Sequence, residues 1–227
     1  MKLCLLFHGL GPPPARVCDM EAPYWLPSET FRRVLEIARA SPNRTEITFD
    51  DGNDSDVHIA LPALLETGMT AAFFIPTDRI DQPGFVSTAD IRGLRQAGMK
   101  IGSHGCAHIR WTEVSDEAIA DDVMRSVERL ENILGEPVRS VAIPYGDCDL
   151  RVLRVLRRLG IARVYSSFRG PNTGGPWLVR RDCIKAQIPA TAIERLLTRK
   201  YGARDAALSL LRVCRRVGWA GLLPALA

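Results

Sequence analysis

Short runs of apolar and β-branched residues alternate with longer amphipathic stretches along most of the chain. The runs at 3–7, 45–49, 70–76, 99–102, 138–143 and 162–166 are short enough to be strands, and the unbroken apolar character of 70–76 fits a sheet covered on both faces. A last strand is expected near 177–181, after a glycine-rich loop at 170–175. Between these runs, apolar residues recur every three or four positions, as in Phe31, Val34, Leu35 and Ala38 or Ile119, Val123, Val127, Leu130 and Leu134. That spacing is the stripe of a helix with one buried face. Helix starts are expected at Ser28, at Asp54 or Asp56, at Ser87 and at Ser115, whose side chains can accept from the unpaired N–H groups of a first turn. Gly68 and Gly98 are expected stops. The regular strand–helix alternation implies βα units with right-handed crossovers, and so a barrel or a doubly wound parallel sheet.

From Thr191 onward the pattern is helical, with Ile193, Leu196, Leu197, Leu208 and Leu211 set against Arg195, Arg199, Lys200, Arg204 and Arg212. A basic amphipathic helix of this kind packs on its own domain with a solvated charged face, or lies on an anionic membrane surface as a peripheral contact. The expected organisation is one barrel over residues 1–190 and a helical extension over 191–227 packed on the same domain.

Composition narrows the classes. With 227 residues, 46% of them hydrophobic, the chain can bury one sizeable core. A net charge of +4 is too mild for a nucleic-acid footprint, so no nucleic-acid partner is expected. Six cysteines are scattered with no Cys-x-x-Cys pair, which fits reduced thiols better than a disulfide framework. The apolar run at 3–7 is short for a signal segment, and no stretch has the length of a membrane span. A cytoplasmic location, with peripheral membrane contact through the basic helix, is the expectation.

Two stretches carry candidate chemistry. Thr48-Phe49-Asp50-Asp51-Gly52 reads as a strand running into two adjacent carboxylates, which in a low-dielectric site require a cation between them or a shifted pKa on one. Ser103-His104-Gly105-Cys106-Ala107-His108 places two histidines four apart, a spacing that in a helical turn puts both rings on one face as ligands for one metal. With one aspartate they complete a three-ligand site whose open position admits water, the pattern of a catalytic rather than a structural metal.

With Ile143-Pro144-Tyr145-Gly146 as a third motif in the same order, the chain over about residues 1–185 resembles the polysaccharide deacetylases of carbohydrate esterase family 4, the NodB-homology domain. The resemblance implies a distorted (β/α) barrel of about seven strands and a metal-dependent hydrolase that removes acetyl groups from N-acetylated sugars. The substrate would be an oligo- or polysaccharide or its lipid-linked precursor. It further implies that Asp50 is the catalytic base, that Asp51, His104 and His108 hold the metal, and that the backbone N–H of Tyr145 helps bind the oxyanion. Zinc suits such a site, and nickel, cobalt or iron also suit imidazole.

The sequence departs from the family pattern at three points. Ala142 stands where an arginine usually opens the third motif, Gly105 where a serine or threonine follows the first metal histidine, and no histidine follows His108. Barrel closure supplies replacements. The first and last strands of a barrel are neighbours, so His8, just past the first strand, is the candidate general acid. Arg181, or else Arg180, near the last strand is the candidate cation for Asp50. The competing readings are a metal- or carbohydrate-binding module with reduced catalysis, and a small-amide hydrolase on the same scaffold.

Overall fold

The computed structural model describes residues 1–41, 43–173 and 176–217. The chain opens with β1 (Lys2–Phe7), a two-residue ladder of β2 (Gly9–Leu10) on β3 (Trp25–Leu26), helix α1 (Ser28–Ala40) and β4 (Arg44–Asp50). Then come α2 (Leu61–Thr67), β5 (Ala71–Ile75), α3 (Thr88–Gln96), β6 (Lys100–Ser103), α4 (Asp116–Leu134), β7 (Ser140–Ala142), α5 (Leu150–Arg158) and β8 (Arg163–Ser166). The described chain ends with β9 (Leu178–Arg180), β10 (Asp182–Cys183), α6 (Ala190–Thr198) and α7 (Ala203–Val217). The expected strands and helices all have counterparts among the described residues. Residues 218–227 of the expected helical extension, and Gly174 and Gly175 of the glycine-rich loop, lie outside them.

The main sheet is parallel throughout, in the order β10-β1-β4-β5-β6-β7-β8-β9. Its two outer segments, β9 and β10, are separated only by Arg181, so one stretch of chain pairs with β8 on one side and with β1 on the other. The sheet therefore curls into a nearly closed, distorted (β/α) barrel whose seam is a single residue.

Two layers of side chains hold it. Outward-facing strand residues meet the helices in a large core where Phe49 stacks on Phe73 at 4.9 Å and on Phe7 at 5.5 Å, with Phe31 of α1 edge-on to Phe7. Fully burying each such ring contributes roughly 1.5–3 kcal/mol. Inside the barrel a smaller cluster of Cys4, Ala72, Phe74, Ala142, Tyr165 and Val179 fills the lumen. Glu46 closes the end nearer the strand N-termini, bonding Tyr165 Oη at 2.8 Å and pairing with Lys2 and Arg163. The last helices seat on the barrel through Asn43, whose amide donates to the carbonyls of Leu197 and Arg199. Among the described residues no helix is long and apolar enough to cross a membrane.

Caps follow the sequence in part. Ser87 forms a capping box with Asp90, and Ser115 accepts from Ala118 N. Ser28 instead lies one residue inside α1, behind Pro27, and caps nothing; helix ends shift by a residue when proline pre-sets the entry. Neither Asp54 nor Asp56 caps α2. The chain enters that helix through a π-helical turn, Asp56–Ala60, without a side-chain cap.

Candidate functional site

The site lies where the parallel strands end, the face on which strand-to-helix loops converge. β4 delivers Asp50 buried, and the backbone then turns through left-handed conformations at Asp51 (φ 80°) and Gly52 (φ 63°). This twist sends two neighbouring carboxylates in different directions. Asp50 meets Arg181, whose Nη1 and Nη2 donate to its two oxygens at 2.7 and 2.8 Å. The guanidinium is fully buried, gives Nε to the Ser166 carbonyl, and sits within 6 Å of the Phe74 and Tyr165 rings. Burial opposes the charge on Asp50, but Arg181, with His104 and His8, outweighs it and holds the carboxyl below its usual range. Arg180 turns the other way, its backbone bound to Asn172 and its guanidinium to the Pro171 carbonyl. Alternation along the strand puts only one of the two arginines inside the barrel.

Asp51 faces two imidazoles. His104 Nδ1 bonds the Ala142 carbonyl at 3.0 Å, which places its proton there and leaves the Nε2 lone pair toward the carboxylates, 3.8 Å from Asp51 Oδ1 and 3.7 Å from Asp50 Oδ2. His108 Nε2 is 3.1 Å from the same Asp51 oxygen. The two histidines are not on a helix: residues 104–110 form a loop in which Gly105 (φ 74°) and His108 (φ 54°) both turn left-handed. The four-residue spacing works here because two tight turns, rather than one helical turn, bring the rings to a centroid distance of 4.9 Å.

One ligand atom each from Asp51, His104 and His108 lie within 4.8 Å of one another. Asp51 Oδ1 is buried and makes no hydrogen bond of acceptable geometry among the described residues, although three nitrogens crowd it. Burial opposes its charge, yet His108, His8 and His104 hold its carboxyl well below the usual range, while burial lowers His104 to about 4. A carboxylate and two imidazoles, one with its outer nitrogen already fixed, form the donor set that a divalent cation takes.

His8 enters from the loop after β1, edge-on to Tyr24 at 4.8 Å, its Nδ1 buried and unpartnered among the described residues. Burial lowers its pKa, against the opposing pull of Asp51 and Asp50. On the opposite side Tyr145 is left-handed (φ 58°) and 53% exposed, its ring 4.5 Å from His108 and under the Arg110 guanidinium at 4.1 Å. Of the four described non-glycine residues with positive φ, Asp51, His108 and Tyr145 belong to this site. Backbone strain gathers where the geometry must be imposed.

Three participants escaped the sequence reading. Asp122 of α4 reaches under the histidine loop and accepts from Cys106 N, Ala107 N and Trp111 Nε1 at 2.9–3.1 Å. A Cβ on Gly105 would collide with Asp122 Oδ2, which explains the glycine there. Only its place among the apolar residues of α4 could have flagged this acid. Arg79, 3.3 Å from Asp51 Oδ1, follows β5 as part of an ordinary-looking polar turn. Asp56 is fully buried with neither oxygen bonded among the described residues; burial, reinforced by Asp51, Asp50 and Asp54, pushes its pKa well up.

A barrel with an Asp-Asp strand end over a His-x-x-x-His loop defines a class, and comparison identifies it. The family model described as polysaccharide deacetylase matches residues 38–164, more than half of the chain, and the protein belongs to that family. Among curated relatives, YxkH of Bacillus subtilis is 22% identical over 134 residues, covering 59% of this chain and 48% of its own length. The peptidoglycan-N-acetylglucosamine deacetylase PgdA of Listeria monocytogenes is 29% identical over 134 residues, covering 56% of this chain and 27% of its own. The matches thus span about half or less of these relatives. Among solved structures, the deacetylase PplD of Streptococcus pyogenes superposes with a TM-score of 0.77 at 15% identity, over 87% of this chain and 98% of that one, which shows a common fold.

Proposed function

We propose that the protein is a metal-dependent N-deacetylase acting on an N-acetylated sugar within an oligo- or polysaccharide or a lipid-linked precursor. The observation that carries this reading is the separation of two carboxylates from adjacent residues: Asp51 joins the His104 and His108 donor set, while Asp50 is withheld from it by Arg181. A binding site alone needs only the first.

A divalent cation held by Asp51, His104 and His108 supplies Lewis acidity for water and an amide carbonyl; zinc suits these donors, as do nickel, cobalt and iron. Asp50 accepts the proton of the attacking water, and Arg181 both aims it and keeps it ionised. The Tyr145 N–H serves the oxyanion of the tetrahedral intermediate. His8, buried beside the two carboxylates, passes to the departing nitrogen the proton that Asp50 has taken from water, since burial disfavours a standing imidazolium there. The C–N bond breaks, and acetate and the free amine leave. The name of PgdA supports an N-acetylhexosamine as the acyl carrier.

The test is metal content together with acetate release from N-acetylhexosamine oligomers. Wild type should hold a divalent ion and release acetate, and Asp50→Asn should keep the ion and lose the release. Metal binding without cleavage of any amide would overturn the reading in favour of a binding module. Chemical rates within a few-fold of wild type for His8→Ala and Arg181→Ala would remove those two from the mechanism.

A further inference from the structure

A groove of about 730 Å³ runs between the barrel seam and the last two helices. One wall is Ser167–Pro171 after β8, another is Cys183 and Ile184 at the end of β10, and the third is α6 and α7. Ser167 and Ile184 lie at strand C-termini, so this end of the groove borders the face of Asp50 and Asp51; the groove then runs along the barrel toward the strand N-termini, where Asn172 pairs with Lys2 and Asn43 binds the Arg199 carbonyl. It adjoins the site at two points. A Cβ on Gly146, beside Tyr145, would run into Ser167, and Cys183 is two residues from Arg181 and feels the charge of Asp50.

Its lining is amphipathic. Phe168, Ile184, Leu196 and Leu208 form an apolar floor, and Arg169, Arg199 and Arg212 stand along it. Arg199 is taken by Asp205. Arg169 and Arg212 meet no carboxylate at ion-pair distance among the described residues; they reach the Asp182 carboxyl only through their field, and burial keeps its pKa raised. Two uncommitted guanidiniums over an apolar trough match a phosphate attached to a hydrocarbon chain, and the volume is that of a small-molecule site.

We propose that this groove is a subsite for the phosphate and hydrocarbon chain of an amphiphilic substrate, an N-acetylated amino sugar joined through phosphate to a lipid. The inference rests on the deacetylase reading and narrows its substrate class. The sugar would occupy the metal site, the phosphate Arg169 and Arg212, and the chain the trough floored by Leu196 and Leu208. The competing occupant is the protein's own residues 218–227, which carry Trp219, Leu222, Leu223 and Leu226 and no charge.

Acetate release is to be compared for one N-acetylhexosamine presented as its dodecyl phosphodiester and as its methyl glycoside, on wild type and Arg169→Gln/Arg212→Gln. Wild type should favour the phosphodiester at least about tenfold in kcat/KM, and the double variant should raise KM for it about tenfold with kcat within about twofold, leaving the methyl glycoside unchanged. Equal use of both substrates by wild type, or equal losses on both in the variant, would overturn the proposal. Binding of dodecyl phosphate, measured by calorimetry, needs no catalysis and so separates this inference from the reading beneath it. With no amide cleaved anywhere, arginine-dependent binding of dodecyl phosphate still supports the groove, whereas binding no tighter than that of dodecyl maltoside refutes it. Dodecyl phosphate binding that appears only in Leu223→Asp would assign the groove to residues 218–227 and likewise refute it.

Discussion

The Asp50–Asp51 peptide divides the site into two halves built on different principles. The half around Asp51 is made of loops: two imidazoles from one loop, a left-handed carboxylate, and an oxygen crowded by nitrogens without a well-formed hydrogen bond among the described residues. The half around Asp50 is made of strands: a carboxylate and a guanidinium, both buried inside the barrel, with two bonds of 2.7 and 2.8 Å. The first half leaves an anionic oxygen without a well-formed hydrogen bond among the described residues, with the Arg79 guanidinium 3.3 Å away. The second is satisfied as it stands, which is what a base requires if it is to stay ionised beside the metal donors without joining them. Adjacent residues obtain opposite roles because one peptide turned to positive φ aims them at different neighbours.

The sharpest way to break this division is to neutralise each carboxylate in turn. Asp50→Asn should lower the deacetylation rate by about 10²–10⁴-fold, the usual scale for a general base, while metal content stays at the wild-type level. Asp51→Asn should lose the metal itself. Equal metal loss in both variants would show the halves to be one site.

Arg181→Met comes next. It leaves a buried carboxylate uncompensated, a change that costs about 3–5 kcal/mol, to be read from denaturant melts. Because Arg181 helps hold the Asp50 carboxyl below its usual range, the wild-type contribution is present above the unfolded pKa and lost only as pH falls through the lower, folded one. Without the arginine, burial raises that pKa, so the acid limb of the rate profile should move upward. An unmoved limb would mean that something other than Asp50 sets it.

Asp122→Asn should cost less, about 1–3 kcal/mol, by turning an amide N–H against donors that now find an acceptor. Because Asp122 shapes the histidine loop, metal affinity should fall about 10–100-fold with the base half untouched, a result checked by metal titration. Smallest is Ser87→Ala, at the capping box of α3 and outside both halves. It should cost about 1 kcal/mol and leave metal binding and rate unchanged, setting the baseline against which the others are judged.

Legibility followed the same division. The metal half stands in two short motifs, because each is a contiguous stretch and the residue types are chemically narrow. In the base half Asp50 stands in the first motif, but its arginine partner follows only from barrel closure: the two are 131 residues apart, and nothing local distinguishes Arg181 from Arg180. Strand parity and the one-residue seam between β9 and β10 make that choice. The histidine spacing suggested a helix where the chain forms a loop, since a four-residue interval brings side chains together in either. Asp122, Arg79 and Asp56 gave no usable signal, as an acid on a helix and a charge in a turn are common everywhere.

The sequence by itself determined the alternation of strands and helices, the acidic strand end, the paired histidines and the family they indicate, because periodicity and short motifs are local properties of a chain. Only the tertiary structure decided which arginine holds Asp50, that His8 is buried where it feels the charge of the carboxylates, that Asp122 fills the space a larger residue would need at position 105, and that a groove with two uncommitted arginines adjoins the site. Each of these depends on strands far apart in sequence becoming neighbours, and that proximity is created by the curl of the sheet rather than by any residue within it.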